Sequence, residues 1–184
     1  YDIALSGDTL AVGMYNDDLA GDDSGSVSIY VRANDQWSFD VTVTASNAEA
    51  GDAFGFDLDL SGDTLVVSSR LEGSNATGVN PVDESNNDAG SSGAVYVFVK
   101  AVDGWNQEAY IKASNTESAD LFGSKVAISG DTIAIGAIGE DSNANGVNQD
   151  ESNNSSSYSG AVYVFTRQDT SWSQQAYLKA SNTG

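Results

Sequence analysis

Three copies of one pattern run through the chain, and nothing else in the sequence limits its fold as strongly. Ser-Gly-Asp-Thr occurs at Ser6–Thr9, Ser61–Thr64 and Ser129–Thr132, so the glycines Gly7, Gly62 and Gly130 are 55 and 68 residues apart. Ser-Gly-Ala-Val-Tyr-Val-Phe occurs at Ser92–Phe98 and Ser159–Phe165, with Ser24–Tyr30 as a weaker copy. Trp37, Trp105 and Trp172 follow at one equivalent position, and Ala-Ser-Asn closes each unit at Ala45–Asn47, Ala113–Asn115 and Ala180–Asn182. A repeat of this period makes each unit one supersecondary building block that buries its faces only against its neighbours.

Each unit reads as four short strands. The first covers Ile3–Leu5, Phe56–Leu60 and Lys125–Ile128, and a Gly-Asp hairpin turn follows it. The second (Leu10–Gly13, Leu65–Ser68, Ile133–Gly136) is apolar almost without alternation, as in a strand covered on both faces. The third is Val27–Val31, Ala94–Val99 and Ala161–Thr166. The fourth starts at each Trp and alternates, with Thr44, Lys112 and Lys179 assigned to its polar, half-exposed side. Nineteen glycines, one proline and many β-branched residues agree with an all-β chain rich in turns. Four antiparallel strands repeated at this spacing describe β-propeller blades. The expected units are 1–55 (short loop), 56–123 and 124–184. Closed propellers use about 4–8 blades, so three imply a segment of a longer array or an assembly of copies. Both ends fall at one phase of the repeat, and an apolar face is expected at each: Val12, Val27 and Ile29 at one, Ile133, Ile135 and Val162 at the other.

Composition removes several functions. With 27 acidic against 7 basic residues the net charge is −20, which excludes phosphate neutralisation of nucleic acid and disfavours an anionic membrane surface. Absence of Cys and His excludes disulfides, thiol nucleophiles, Cys/His zinc sites and a Ser-His-Asp triad. A resident metal would be a hard cation held by oxygen, calcium first. No apolar run is long enough to span a bilayer as a helix. No secretory signal is visible, so export is not read from the sequence directly.

The units resemble the FG-GAP repeat family, the blades of the integrin α-subunit propeller, in their bacterial secreted or surface type. Phe54-Gly55 and Phe122-Gly123 match its first element, Val12-Gly13-Met14 and Ile135-Gly136-Ala137 stand at the second without its proline, and Gly93–Phe98 and Gly160–Phe165 match the strand that follows. The resemblance implies a propeller, an extracellular or cell-surface setting, and adhesion or ligand binding. The family's calcium loop between first and second strands is replaced here by Ser-Gly-Asp-Thr, so Asp8, Asp63 and Asp131 are single turn carboxylates and not a calcium cage.

Oxygen ligands at calcium-like spacing appear instead between the second and third strands of the third unit. Asp141, Asn143 and Asn145 stand at alternate positions, Gly146 follows as the turn residue, Val147 offers a carbonyl, and Asp150 or Glu151 closes the set. Unit two keeps only Asn75, Gly78, Asp83 and Glu84 of this pattern. The other reading of the loop is a polar cap built from side-chain to backbone bonds. The tryptophans, with Tyr96, Tyr110, Tyr163 and Tyr177, read as blade packing before sugar platforms, while Tyr158 falls outside the repeat as a contact candidate. Asp57 and Asp59 alternate on an innermost strand, where a water-filled channel accounts for them better than an acid–base pair, since unit three has Lys125 and Ala127 there. Asn75-Ala76-Thr77 and Asn153-Asn154-Ser155 fit the glycosylation pattern by coincidence. The expected function is a non-enzymatic binding or adhesion module that meets a protein or glycan ligand on its loop rim. Head-to-tail assembly of such segments, and a lectin-like or carbohydrate-active propeller, are the alternatives.

Overall fold

A computed structural model describes residues 2–182. It has thirteen strands and, among the described residues, no helix. Sheet one is β1 (Ile3–Ser6), β2 (Thr9–Met14), β3 (Ser26–Ala33) and β4 (Gln36–Val43). Sheet two is β5 (Phe54–Ser61), β6 (Thr64–Ser69), β7 (Ala94–Ala101) and β8 (Gly104–Ile111). Sheet three takes β9 (Phe122–Ser129), β10 (Thr132–Ala137), β12 (Ala161–Gln168) and β13 (Ser171–Lys179), with β11 (Gly146–Val147) added outside β13. All ladders are antiparallel and, β11 apart, the four strands of each sheet pair in chain order, so each repeat is one up-and-down blade. The Phe-Gly pairs open strands: Phe54 pairs with Ser69 and Phe122 with Ala137, so each sheet begins two residues ahead of the expected boundaries at 55/56 and 123/124.

The blades stack through side chains of alternating strand positions. Between blades one and two, Ala11, Val27 and Ile29 meet Leu58, Leu65, Val67 and Tyr96. Between blades two and three, Val66, Val95 and Val97 meet Val126, Ile133, Ile135 and Tyr163. Only the central blade is covered twice. β6 is buried at all six positions, whereas β2 and β10 alternate. The expectation that Val27, Ile29, Ile133 and Ile135 lie on the open end faces is therefore corrected: all four are fully buried at the inner interfaces. Blade one leaves Ile3 and Leu5 open with Val12 half-buried, and blade three leaves Val162 open as expected. The sign of the pleat decides this, because residues one step apart face opposite neighbours.

Candidate functional site

The Ser-Gly-Asp-Thr turns and the β3–β4 type turns lie at one end of the blades. The interblade linkers and the connections between second and third strands lie at the other. This second rim carries the candidate site, because its loops in blades two and three are long and polar.

A buried ion pair braces each long loop. Lys112 Nζ donates to Glu72 Oε2 (2.7 Å) and to Ser92 Oγ (2.8 Å), and Lys112 and Glu72 side chains are 0% and 3% exposed. Lys179 donates to Glu140 and Ser159 in the same way in blade three. Tyr177 Oη and Asn115 Nδ2 also donate to Glu140 Oε1. The reading of Lys112 and Lys179 as half-exposed polar positions is corrected: their side chains are wholly buried. Burial lowers the Lys112 pKa, and Glu72 opposes that shift. The linker asparagines complete the brace. Asn47 accepts from Tyr96 Oη (2.7 Å) and donates to the Glu84 carbonyl (2.7 Å), and Asn115 holds Tyr163 and the Glu151 carbonyl likewise. A third layer is backbone: Asn80 N and Asn148 N donate to the carbonyls of Tyr110 and Tyr177, and the same asparagines' Oδ1 atoms accept from Tyr110 N and Tyr177 N. This laces the loop to the outer strand, and β11 is its strongest form.

The proposed calcium ligands are placed as follows. Asp141 Oδ1 accepts from Tyr158 N. Asn143 N donates to Asn153 Oδ1, and the Asn145 side chain is exposed. Val147 pairs with Leu178 in β11, and its carbonyl accepts from Gln149 Nε2 (3.0 Å). Asp150 Oδ1 caps Ser152 through its N (3.0 Å) and Oγ (2.6 Å). Glu151 Oε2 accepts from Ser114 Oγ (2.9 Å) of the preceding linker. The carboxylates thus serve separate partners, and among the described residues no three Asp, Glu, His or Cys side chains are grouped so that they could hold a metal ion. In this arrangement the three carboxylates Asp141, Asp150 and Glu151 do not converge on one point, and side-chain caps of backbone groups hold the loop. Beside it lies an open cleft of 310 Å³ lined by Asn148, Gln149, Asp150, Glu151, Gln174 and Tyr177.

Other readings resolve by location. Asp57 and Asp59 both bond the backbone of the neighbouring blade, Asp57 buried and Asp59 half-buried. Asp57 is 4% exposed and bonds Lys125 and Val126 N (2.6 Å) across the blade boundary, and Asp59 Oδ2 accepts from Ile128 N (2.7 Å). The Asp8 and Asp131 carboxylates hold Arg32 and Arg167. Tyr96, Tyr110, Tyr163 and Tyr177 are buried in packing, and Trp172 is buried with Nε1 donating to Glu108 Oε1 (2.9 Å). Trp37 is exposed on the open blade. Tyr158 is exposed on the rim, on a left-handed backbone at φ 55°. Asp52 and Asp120, the residues two ahead of each Phe, are buried beside the rim, and burial raises their pKa values to about 6 and about 7.

The four-stranded up-and-down sheets, stacked face on face, with the second and third entered through Phe-Gly, define propeller-type blades. The FG-GAP repeat family model matches residues 1–30, 37–98 and 105–165, and the chain belongs to that family. No curated protein matches the chain in sequence.

Proposed function

We propose that the chain is a non-enzymatic extracellular binding or adhesion module, built into a large exported protein, that meets a protein or glycan ligand with the loops of one rim. The observation that carries this is the bracing of two long polar loops. Glu72–Lys112 and Glu140–Lys179 fix the loop bases, while Val82, Gln149, Asp150, Ser152, Asn154 and Tyr158 stand in solvent. Loops on a rigid scaffold are the usual carriers of recognition, and preorganised tips lose less entropy on binding. The amide- and carboxylate-lined cleft beside β11 suits a hydroxyl-rich or peptide ligand.

The test is direct. The full chain, labelled, is presented to arrays of glycans and of extracellular proteins. A second protein carries Gly-Ser replacements of equal length at 81–88 and 148–157. Binding by the first and not by the second, with both folded by circular dichroism, supports the reading. Absence of binding, or binding untouched by the replacement, rejects it.

A further inference from the structure

We infer that the cleft beside β11 is a seat for one neutral sugar ring, held through a pair of neighbouring hydroxyls by the side-chain amide of Gln174. This rests on the rim-binding reading above and names the chemistry of its ligand. The same three side chains stand at equivalent places in blades two and three, closed in one and open in the other. Gln107 pairs with Phe98 and Gln174 with Phe165, each just past the bulge of its ladder. Ser46 and Ser114 stand in the preceding linkers, and Glu84 and Glu151 present their carbonyls to Asn47 and Asn115.

In blade two Ser46 N donates to Gln107 Oε1 (3.1 Å), and Gln107 Nε2 donates to Ser46 Oγ (2.9 Å). One residue thus serves both ends of the amide, and the Ser46 hydroxyl reaches Glu84 Oε1 only at 3.5 Å. In blade three Ser114 Oγ turns to Glu151 Oε2 at 2.9 Å. Among the described residues the Gln174 amide is left without a hydrogen-bond partner. It lines the 310 Å³ cleft together with Asn148, Gln149, Asp150 and Glu151. The loops differ at this place by one residue: Pro81 and Val82 separate Asn80 from Asp83, whereas Gln149 alone separates Asn148 from Asp150.

What Gln107 takes from Ser46 defines what Gln174 lacks: a donor and an acceptor on neighbouring atoms. Lysine and arginine side chains only donate, and an ionised carboxylate only accepts. Either would cover the amide and leave one of its ends unserved, which is costly once water is excluded. Asp150 and Glu151 repel an anion as well. Two neighbouring hydroxyls both donate and accept, and a further hydroxyl finds an acceptor in Glu151, of which Ser114 takes only one oxygen. An extended peptide offers donors and acceptors along its backbone edge and lies along a run of several residues. A cleft of 310 Å³ is at the small end of ligand sites and suits a single ring.

The experiment follows the glutamine side-chain amide signals of the full, isotope-labelled chain by NMR. The probes are the methyl glycosides of mannose, galactose and glucose at millimolar concentration, with glucuronate, a lysine-rich peptide and a neutral serine peptide beside them. At least one neutral glycoside is expected to shift the Gln174 signal saturably and to leave that of Gln107 in place. Gln174→Leu is expected to weaken this binding about tenfold or more, and Gln107→Leu to leave it unchanged, with both variants shown to be folded by the rest of the spectrum. No shift of Gln174 with any glycoside, a shift produced instead by the charged or peptide probes, or glycoside binding that survives Gln174→Leu would overturn the seat. Absence of any binding on the arrays rejects the proposed function, whereas array binding that needs the rim loops but not Gln174 rejects only this seat.

Discussion

Blade one and blade three have the same four strands and opposite rims. In blade three a long loop is anchored by Glu140 and Lys179, with Ser159 and Tyr177 sharing the bonds. In blade one the connection runs only from Tyr15 to Gly25, the acidic position is Asp17, and the position of Lys179 is Thr44. Asp17 turns to Ser26 instead. The serine motif survives the difference, since Ser24 Oγ still donates to the Asp17 carbonyl as Ser92 and Ser159 do to those of Glu72 and Glu140. A short loop closes on a carboxylate and hydroxyls. A long loop covers that carboxylate and needs an ammonium inside, because an unpaired buried charge is far more expensive than a paired one. The cation is thus a consequence of loop length, and blade two obeys it as well.

The contrast breaks most sharply at the ammonium itself. Lys112→Met should cost about 3–5 kcal/mol, because Glu72 is left charged and buried, while Thr44→Met in blade one should cost under about 1 kcal/mol. Urea denaturation of both variants checks this. Adding Glu72→Gln to Lys112→Met should recover most of the loss, and additive losses would show that the pair is not the brace.

At the opposite rim the two end blades differ in the partners of one arginine. Arg167 is 15% exposed and reaches Asp131, Glu108 and Thr64, the last two in blade two. Arg32 is 45% exposed, and Asp8 is its one ion-pair partner among the described residues. Arg167→Ala should cost about 2 kcal/mol, and Arg32→Ala under about 1 kcal/mol. Equal costs would mean that the contacts of Arg167 with blade two contribute nothing.

A smaller effect separates the two linkers by pH. Asp120 titrates near 7 in the fold against 3.8 for the free side chain, because burial disfavours its charged form and the nearby carboxylates of Glu117, Glu140 and Asp141 add to this. A raised acid binds protons more tightly folded than unfolded. Its contribution is therefore complete below about pH 4 and is lost as pH rises through 7. Asp120→Asn keeps an acceptor for Glu117 N and should gain stability over the parent at pH 8 while matching it near pH 4. Asp52→Asn should do the same with its window ending near pH 6. Thermal midpoints across this range decide it, and a variant curve parallel to the parent's removes the carboxyl from the account.

Calcium should do least. With Asp141, Asp150 and Glu151 bound to separate partners, millimolar calcium is expected to move the midpoint by less than about 1 °C. A rise that disappears in Asp141→Ala with Asp150→Ala would mean that the loop reorders around the ion.

The blades are legible in the amino-acid sequence because the repeat spells them out. Gly25 and Gly93, the Phe-Gly pairs and the hairpin turns are backbone devices, and backbone geometry leaves a residue-type signature. The brace is not legible in the same way, because Glu and Lys read as solvent-facing in a chain of strong net charge. A signal is present all the same: Glu72 and Glu140, Lys112 and Lys179, and Ser92 and Ser159 all recur together in the two long-loop units, and the Glu–Lys pair is missing from the short one. Spacing alone serves two readings at Asp141–Glu151, since alternate oxygen donors suit Asx-type caps as well as a cation. It also misleads at Asp57, where alternation fixes the face but not what that face meets.

The burial of half the lysines has a bearing on proteolysis. Residues 71–93 and 138–160, which include both long loops, contain no Lys or Arg. Of the seven basic residues in the chain, Lys112 and Lys179 are enclosed and Arg167 is largely so. A trypsin-like protease therefore finds no cleavage site in the segments that protrude furthest, and its remaining sites lie within or at the ends of paired strands, where the backbone is not free to enter an active site. Acid-specific proteases meet the opposite situation, with Asp83, Glu84, Asp150 and Glu151 displayed on the rim.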